Sequence, residues 1–192
     1  MDAQQIILGI INIVGGILVI LSYIQGVRSH SGNAGDAWGN VPSSIKPLYT
    51  ISMVLAALGY FAFSYFIILR LDPDKVAALN DFRYWAFIIA YALILFPSAM
   101  WMPLTFAMLN NPKRILWWAI RITLFAVGIG SLGILGLLLI LEHSEPEWMY
   151  WLAIAGIYFF CVQTAVLDAL IWPVYFPSAQ ELKQKKEAIS ES

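Results

Sequence analysis

The sequence predicts an all-α integral membrane protein, built as a bundle of five transmembrane helices. Of its 192 residues, 60% are hydrophobic and only 12% are charged, and the mean hydropathy is +0.75. A soluble domain carries about 25% charged residues, so this chain has too few to cover a water-facing surface. Five apolar segments also reach the roughly 20 residues that a membrane-spanning helix needs.

These segments divide the chain into one transmembrane domain, residues 1–176, and a polar tail, residues 177–192. The predicted spans are residues 5–27, 48–69, 84–109, 115–141 and 148–172. The first two spans are joined by about twenty residues rich in glycine, serine and asparagine, which is long because most connections have about 4–6 residues. That loop is either a flexible tether or a lid carrying Trp38. We expect the tail to be a solvated helix or disordered.

The distribution of basic residues predicts which way the bundle faces. With five spans, one side collects seven lysines and arginines and the other collects three, each of the three close to an aspartate. Because lysine and arginine accumulate on the cytoplasmic side, we expect the N-terminus outside and the C-terminus in the cytoplasm.

Composition also excludes several classes of function. A net charge of −1 argues against nucleic acid as a partner, since phosphate binding needs a basic face. A lone cysteine, Cys161, rules out an internal disulfide. The two histidines, His30 and His143, fall in predicted loops, so we expect no metal centre and no required cofactor.

The third span contains two prolines, Pro97 and Pro103, which remove backbone donors and predict a bend or an opening. A freed carbonyl in a bilayer needs a partner, and the hydroxyls of Ser98 and Thr105 are close in sequence. One interpretation is a kinked helix in a packed bundle. The other is a pocket at the bend, lined by Trp101, Met100, Met102 and Phe106.

Two charges lie inside the last two spans. Arg121 lies about two turns from the cytoplasmic start of the fourth span, and Asp168 lies about one turn from the cytoplasmic end of the fifth. A lone charge in hydrocarbon costs at least about 2.5–3.5 kcal/mol, so an intramembrane ion pair between them is expected. The pair either locks two neighbouring helices or faces a cavity and meets a ligand.

The fourth span ends in a glycine-rich stretch, residues 128–136, which formally matches the dinucleotide-binding pattern G-x-G-x-x-G. No strand precedes it, so we interpret its glycines as a helix-packing face. Such faces would also allow a homodimer.

Four short motifs resemble, in order and rough spacing, those of the tryptophan-rich sensory protein / translocator protein family. They are Leu58-Gly59-Tyr60, Trp101 to Phe106, Trp117 to Arg121, and Leu167 to Trp172. The chain departs from the family in the first loop, which lacks a Trp-x-Pro-Pro stretch. It departs again at Arg121 and Asp168, which replace an acid and an asparagine.

The resemblance implies a five-helix bundle, often dimeric, with a pocket that opens towards the long loop. Such a pocket would bind a tetrapyrrole, a sterol or a similar flat hydrophobic molecule. On this interpretation the chain is a sensor or carrier rather than an enzyme, with no catalytic residue. The ligand-binding residues would be Trp38, Trp101, Pro103, Phe106, Trp117 and Asp168.

Three alternatives remain open from the residues alone. The chain could be an auxiliary transmembrane subunit of a larger complex, which suits the glycine-rich fourth span. It could be a small proton-coupled transporter in which Asp168 titrates, although no internal repeat is visible. An intramembrane enzyme is the weakest alternative, because general acid–base chemistry usually needs a second positioned group.

Overall fold

A computed structural model of the chain describes residues 2–29, 34–73, 76, 83–141 and 147–190. This part of the chain is helical and contains no β-strand. The long helices are α1 (Ala3–Ser29), α2 (Lys46–Tyr65, continued by Phe66–Arg70), α3 (Arg83–Asn110), α4 (Arg114–Leu139) and α5 (Glu147–Cys161, continued by Val162–Ile171 and Trp172–Tyr175). A short 3₁₀ helix (Ala34–Trp38) follows α1, and α6 (Ala179–Ser190) forms the tail.

Helices α1 to α5 are each long and apolar enough to cross a membrane, which confirms the predicted number of spans. Their ends lie within about three residues of the predicted ones. The arrangement is compatible with a multi-pass integral membrane protein. The tail takes the helical alternative, and of its side chains from Gln180 to Ala188 only Leu182 is buried.

The helices pack in the order α1, α3, α4, α5, α2. Consecutive helices α4 and α5 are antiparallel neighbours, as the sequence predicts. Helix α1 lies at the edge of the bundle, since only 17% of its most apolar stretch is buried, against 39–44% in the other four helices. Its close contacts are with α3, where Gly15 packs against Leu95 and Gly26 packs against Met102.

Glycine sets the closest helix contacts. A Cβ added to Gly156 of α5 would lie 2.7 Å from the carbonyl oxygen of Gly59 in α2. A Cβ on Gly130 of α4 would lie 2.8 Å from the carbonyl oxygen of Ala90 in α3. The packing role predicted for the glycines of residues 128–136 is confirmed at Gly130, whereas Gly136 has no atom within 4 Å of its added Cβ.

Helix α3 continues through both prolines without opening. The Thr105 hydroxyl donates to the Trp101 carbonyl at 2.8 Å, and not to the Ala99 carbonyl that Pro103 leaves without its usual donor. Of the two alternatives for the prolines, a bend or an opening, the structure does not show the opening, since the helix is continuous through Pro97 and Pro103.

Two large hydrophobic cores follow one another along the bundle, and a small third one, formed by Ala37, Met102 and Phe106, lies beside the second. We call the end that carries the 3₁₀ helix and α6 the loop end, and the end where α1 begins the opposite end. The larger core lies at the opposite end and includes Phe63, Phe87, Tyr91 and Ile157. A second core at the loop end includes Tyr49, Met108, Ile120, Leu167 and Trp172.

Candidate functional site

Aromatic rings from three helices meet at the loop end. The Trp101 ring of α3 lies 5.8 Å from the Tyr23 ring of α1 and 5.7 Å from the Trp172 ring of α5, measured between centroids. Trp172 in turn stacks on Phe176 at 4.4 Å with 22° between the planes. Trp101 is half-buried and faces the bundle, so the helical turn between the prolines points its ring inward.

The first loop covers this aromatic group. The Trp172 indole donates to the Ala37 carbonyl at 3.2 Å, and the Asn40 amide donates to the Tyr175 carbonyl at 2.9 Å. Trp38 packs edge-on against Tyr49, with the ring centroids 5.7 Å apart. The described part of the loop is thus packed onto the end of the bundle, which favours a lid over a loose tether.

Helix α5 widens where it passes the aromatic group. Residues Val162–Ile171 form a π-helix, in which each amide bonds to the carbonyl five residues back. Gln163 donates from Nε2 to the Asp168 carboxylate at 2.8 Å, a pair five residues apart. Such a pair would point in different directions on an α-helix, so the π geometry creates the contact. Turns of this kind are frequent at functional sites.

Two buried polar atoms in the described residues have no hydrogen-bond partner. They are Nε1 of Trp101 and Oε1 of Gln163. Buried polar groups are nearly always hydrogen-bonded, and an unsatisfied one costs about 1–3 kcal/mol. One atom is a donor and the other is an acceptor, and both side chains face the bundle interior. Their unmet bonding capacity marks this region as a candidate binding site.

The structure gives the two charges within the candidate membrane spans separate partners. Arg121 donates to the Pro173 carbonyl at 2.9 Å, and its guanidinium carbon lies 3.6 Å from the centre of the Trp117 ring. Asp168 accepts from Gln163. No ion pair joins Arg121 and Asp168 among the described residues. In place of the predicted pairing, Arg121 contacts a carbonyl and an aromatic ring, and Asp168 contacts an amide. The Trp117 ring and the Pro173 carbonyl hold the guanidinium without the carboxylate.

The remaining predicted site residues divide between two places. Phe106 is buried beside Ala37 and Met102, next to Trp101. Pro103 is exposed on a groove of about 290 Å³ between α1 and α3. Met100 is 53% exposed, so it does not line an interior pocket.

Trp38, Trp101, Phe106 and Asp168 thus belong to the loop-end interior. Trp117 packs against the same loop-end core as Trp38 and Trp101, but it also lines the outer groove between α4 and the tail helix.

The sequence interpretation missed Tyr23 and Tyr49. Tyr49 donates from its hydroxyl to the Leu167 carbonyl at 3.0 Å and so fixes the π-helical stretch to α2. The Asp168 carboxylate lies within electrostatic range of the hydroxyls of both tyrosines. The only indication of this site in the sequence is that Gln163 and Asp168 are five residues apart. That spacing brings two side chains together on a π-helix but not on an α-helix.

Among the described residues, no group of three or more potential metal-ligating side chains occurs. His30 and His143, expected in loops, lie outside the described residues. Comparison of the chain with protein-family models, with curated proteins and with solved structures finds no match.

Proposed function

We propose that this chain is a membrane-embedded binding protein, a sensor or carrier, for a flat hydrophobic ligand such as a tetrapyrrole or a sterol. In this proposal the N-terminus lies outside and the loop end faces the cytoplasm. The observation that carries the proposal is the buried, unpartnered indole N–H of Trp101 in an aromatic group drawn from three helices.

The chemistry of this region matches a flat molecule with polar groups at its edge. The rings of Tyr23, Trp101 and Trp172 offer faces and edges for stacking against an extended π system or a rigid ring skeleton. The Trp101 N–H needs an acceptor such as a carboxylate, carbonyl or hydroxyl oxygen. The Gln163 oxygen needs a donor. A mostly apolar site with a few convergent polar groups is the usual form of a small-molecule pocket.

The groove between α1 and α3 is the proposed route to Trp101. It contains Ser22 and Gly26 on α1, and Phe106 and Ala107 on α3. Its volume of about 290 Å³ is at the lower limit of the roughly 300–1,000 Å³ typical of ligand pockets. Binding of a tetrapyrrole or a sterol in this groove therefore requires α1 to move away from α3. Helix α1 is the helix with the least buried surface.

A titration tests the proposal. Purified protein in detergent is titrated with protoporphyrin IX and, separately, with a fluorescent sterol, and binding is followed through the ligand's own absorbance or fluorescence. Trp101→Phe keeps an aromatic ring and removes the N–H. The matched control is Trp85→Phe, on the same helix but at the opposite end, where Trp85 is 42% exposed.

We expect saturable binding of at least one ligand by the parent protein. Trp101→Phe should raise the Kd about fivefold, because a hydrogen bond contributes about 1 kcal/mol net, while Trp85→Phe leaves it unchanged. If neither ligand binds saturably to folded protein, or if both variants weaken binding equally, the proposal is wrong. The auxiliary-subunit interpretation would then take its place.

A further inference from the structure

A second groove lies on the outside of the bundle at the loop end, between the first turns of α4 and α6. Its volume is about 510 Å³. It is lined by two cations, two indoles and the start of the tail helix: Arg114, Lys183, Trp117, Trp118, Ser178, Ala179 and Gln180. This groove does not include Trp101 or Asp168, so it is separate from the ligand site proposed above.

The groove carries uncompensated positive charge. Arg114 and Lys183 are exposed and have neither a hydrogen bond nor an ion pair from their side chains within the described chain. No acidic residue lines the groove. The nearest acid in sequence, Glu181, has its carboxylate bound to the Ser178 amide at 2.7 Å. Helix α4 also begins without a side-chain cap at Lys113, which leaves its first amide groups facing this end.

The aromatic wall of the groove is fixed in place. Arg121 stacks on the Trp117 ring at 3.6 Å, and Trp117 meets Trp118 edge-on at 5.0 Å. The wall continues into an apolar surface, since Trp118 is 50% exposed and Ile115 is 74% exposed. Tryptophan is enriched where a membrane meets water, at the level of lipid headgroups.

We infer that this groove binds the headgroup of an anionic phospholipid. The phosphate would accept hydrogen bonds from Arg114 and Lys183, and the acyl chains would lie along Trp118 and the apolar face of α4. Inorganic phosphate would bind the two cations, but the apolar wall would not contribute to its affinity. The positive choline group of a zwitterionic lipid would meet the same two cations.

Native mass spectrometry of the purified protein tests this inference. The protein is equilibrated with equal amounts of phosphatidylglycerol and phosphatidylcholine of the same chain length, and the retained lipid is counted. The test variant is the double change Arg114→Gln and Lys183→Gln. The matched control is Arg28→Gln with Lys185→Gln, which removes two exposed cations from the same end of the bundle but outside the groove.

We expect the parent and the control to retain phosphatidylglycerol about tenfold over phosphatidylcholine, and the test variant to lose that preference. The preference should survive tens of millimolar inorganic phosphate. Equal loss in both double variants, or no loss in the test variant, would overturn the inference. Displacement by inorganic phosphate would assign the groove to a soluble anion instead.

Discussion

The two ends of the bundle differ in how completely their buried polar groups are hydrogen-bonded. At the opposite end every buried tyrosine hydroxyl in the described core donates a hydrogen bond: Tyr91 to Ser64 Oγ (2.9 Å), Tyr84 to the Ile67 carbonyl (3.2 Å) and Tyr150 to the Leu138 carbonyl (3.0 Å). Towards the loop end, Trp101 and Gln163 each keep a buried atom without a partner.

The backbone differs between the two ends in the partners of its π-helices rather than in their presence. The close Gly59–Gly156 contact fixes α2 against α5 in the larger core. One π-helix, Phe66–Arg70, continues α2 at the opposite end, and the other, Val162–Ile171, continues α5 towards the loop end. Of these two described stretches, only the one in α5 carries a buried side-chain polar atom without a partner, Oε1 of Gln163. On the function proposed above, the opposite end supplies stability and the loop end holds polar groups in place for a ligand.

A large side chain introduced at the close helix contact of the opposite end should give the largest effect, a loss of stability. Gly156→Leu would drive a side chain into the backbone of Gly59, which cannot retreat as a flexible side chain could. We expect a loss of about 3 kcal/mol or more in the free energy of unfolding. Thermal unfolding in detergent measures it.

The control for this change is Gly136→Leu on α4, since nothing lies within 4 Å of a Cβ at that position. Its stability should stay within about 0.5 kcal/mol of the parent. Equal losses in both variants would show that the close contact is not what holds α2 and α5 together.

Blocking the groove between α1 and α3 should give the next largest effect. This change should weaken ligand binding and leave the stability of the protein unchanged. Ala107 is exposed and lines this groove, so Ala107→Trp would fill it without disturbing the core. We expect the Kd for the ligand to rise at least about tenfold, as the route of about 290 Å³ is lost. Ala57→Trp, at an exposed position on α2, is the control and should bind normally.

Deleting one polar group at each end should change the stability by different amounts. Tyr91→Phe removes its hydrogen bond to Ser64 and should destabilise the protein by about 1 kcal/mol. Trp101→Phe removes a donor that has no partner, which favours folding, but its smaller ring loses contact with Tyr23 and Trp172, so we expect a net change near zero. Chemical or thermal unfolding without ligand compares the two, and an equal loss in both would contradict the division between the ends.

The smallest predicted effect is at the start of α6. Ser178 and Glu181 form a capping box, because each side chain accepts a hydrogen bond from the other's amide. The Ser178 amide, and then its hydroxyl, hold the pKa of the Glu181 carboxyl below its usual value. A lowered folded pKa contributes stability above the unfolded pKa, and this contribution disappears as the pH falls through the folded value.

We therefore expect the first turn of α6 to fray at acidic pH. Hydrogen exchange of the α6 amides, compared at each pH with Glu181→Gln, isolates this contribution from the intrinsic pH dependence of exchange. The prediction is contradicted if the difference in α6 amide exchange between the parent and Glu181→Gln stays the same below the folded pKa of Glu181.

Hydropathy and charge were enough to predict the five helices and their ends, because membrane-spanning segments must be long and apolar. The glycine-rich stretch also predicted tight packing at Gly130, whereas the close contact at Gly156 was not predicted. The side-chain partners could not be predicted in the same way. Arg121 and Asp168 lie on neighbouring helices, yet a tryptophan ring and a π-helical turn decide what each one contacts.

The most direct test of the account observes the Trp101 indole itself. Protein labelled with ¹⁵N at its eight tryptophans gives indole N–H signals, and Trp101→Phe identifies the Trp101 signal by its loss. On addition of protoporphyrin IX or a sterol, we predict that this signal shifts saturably, as the N–H gains an acceptor, while the Trp85 signal stays in place. An unchanged Trp101 signal in folded protein, at ligand concentrations that saturate any binding, would contradict the account.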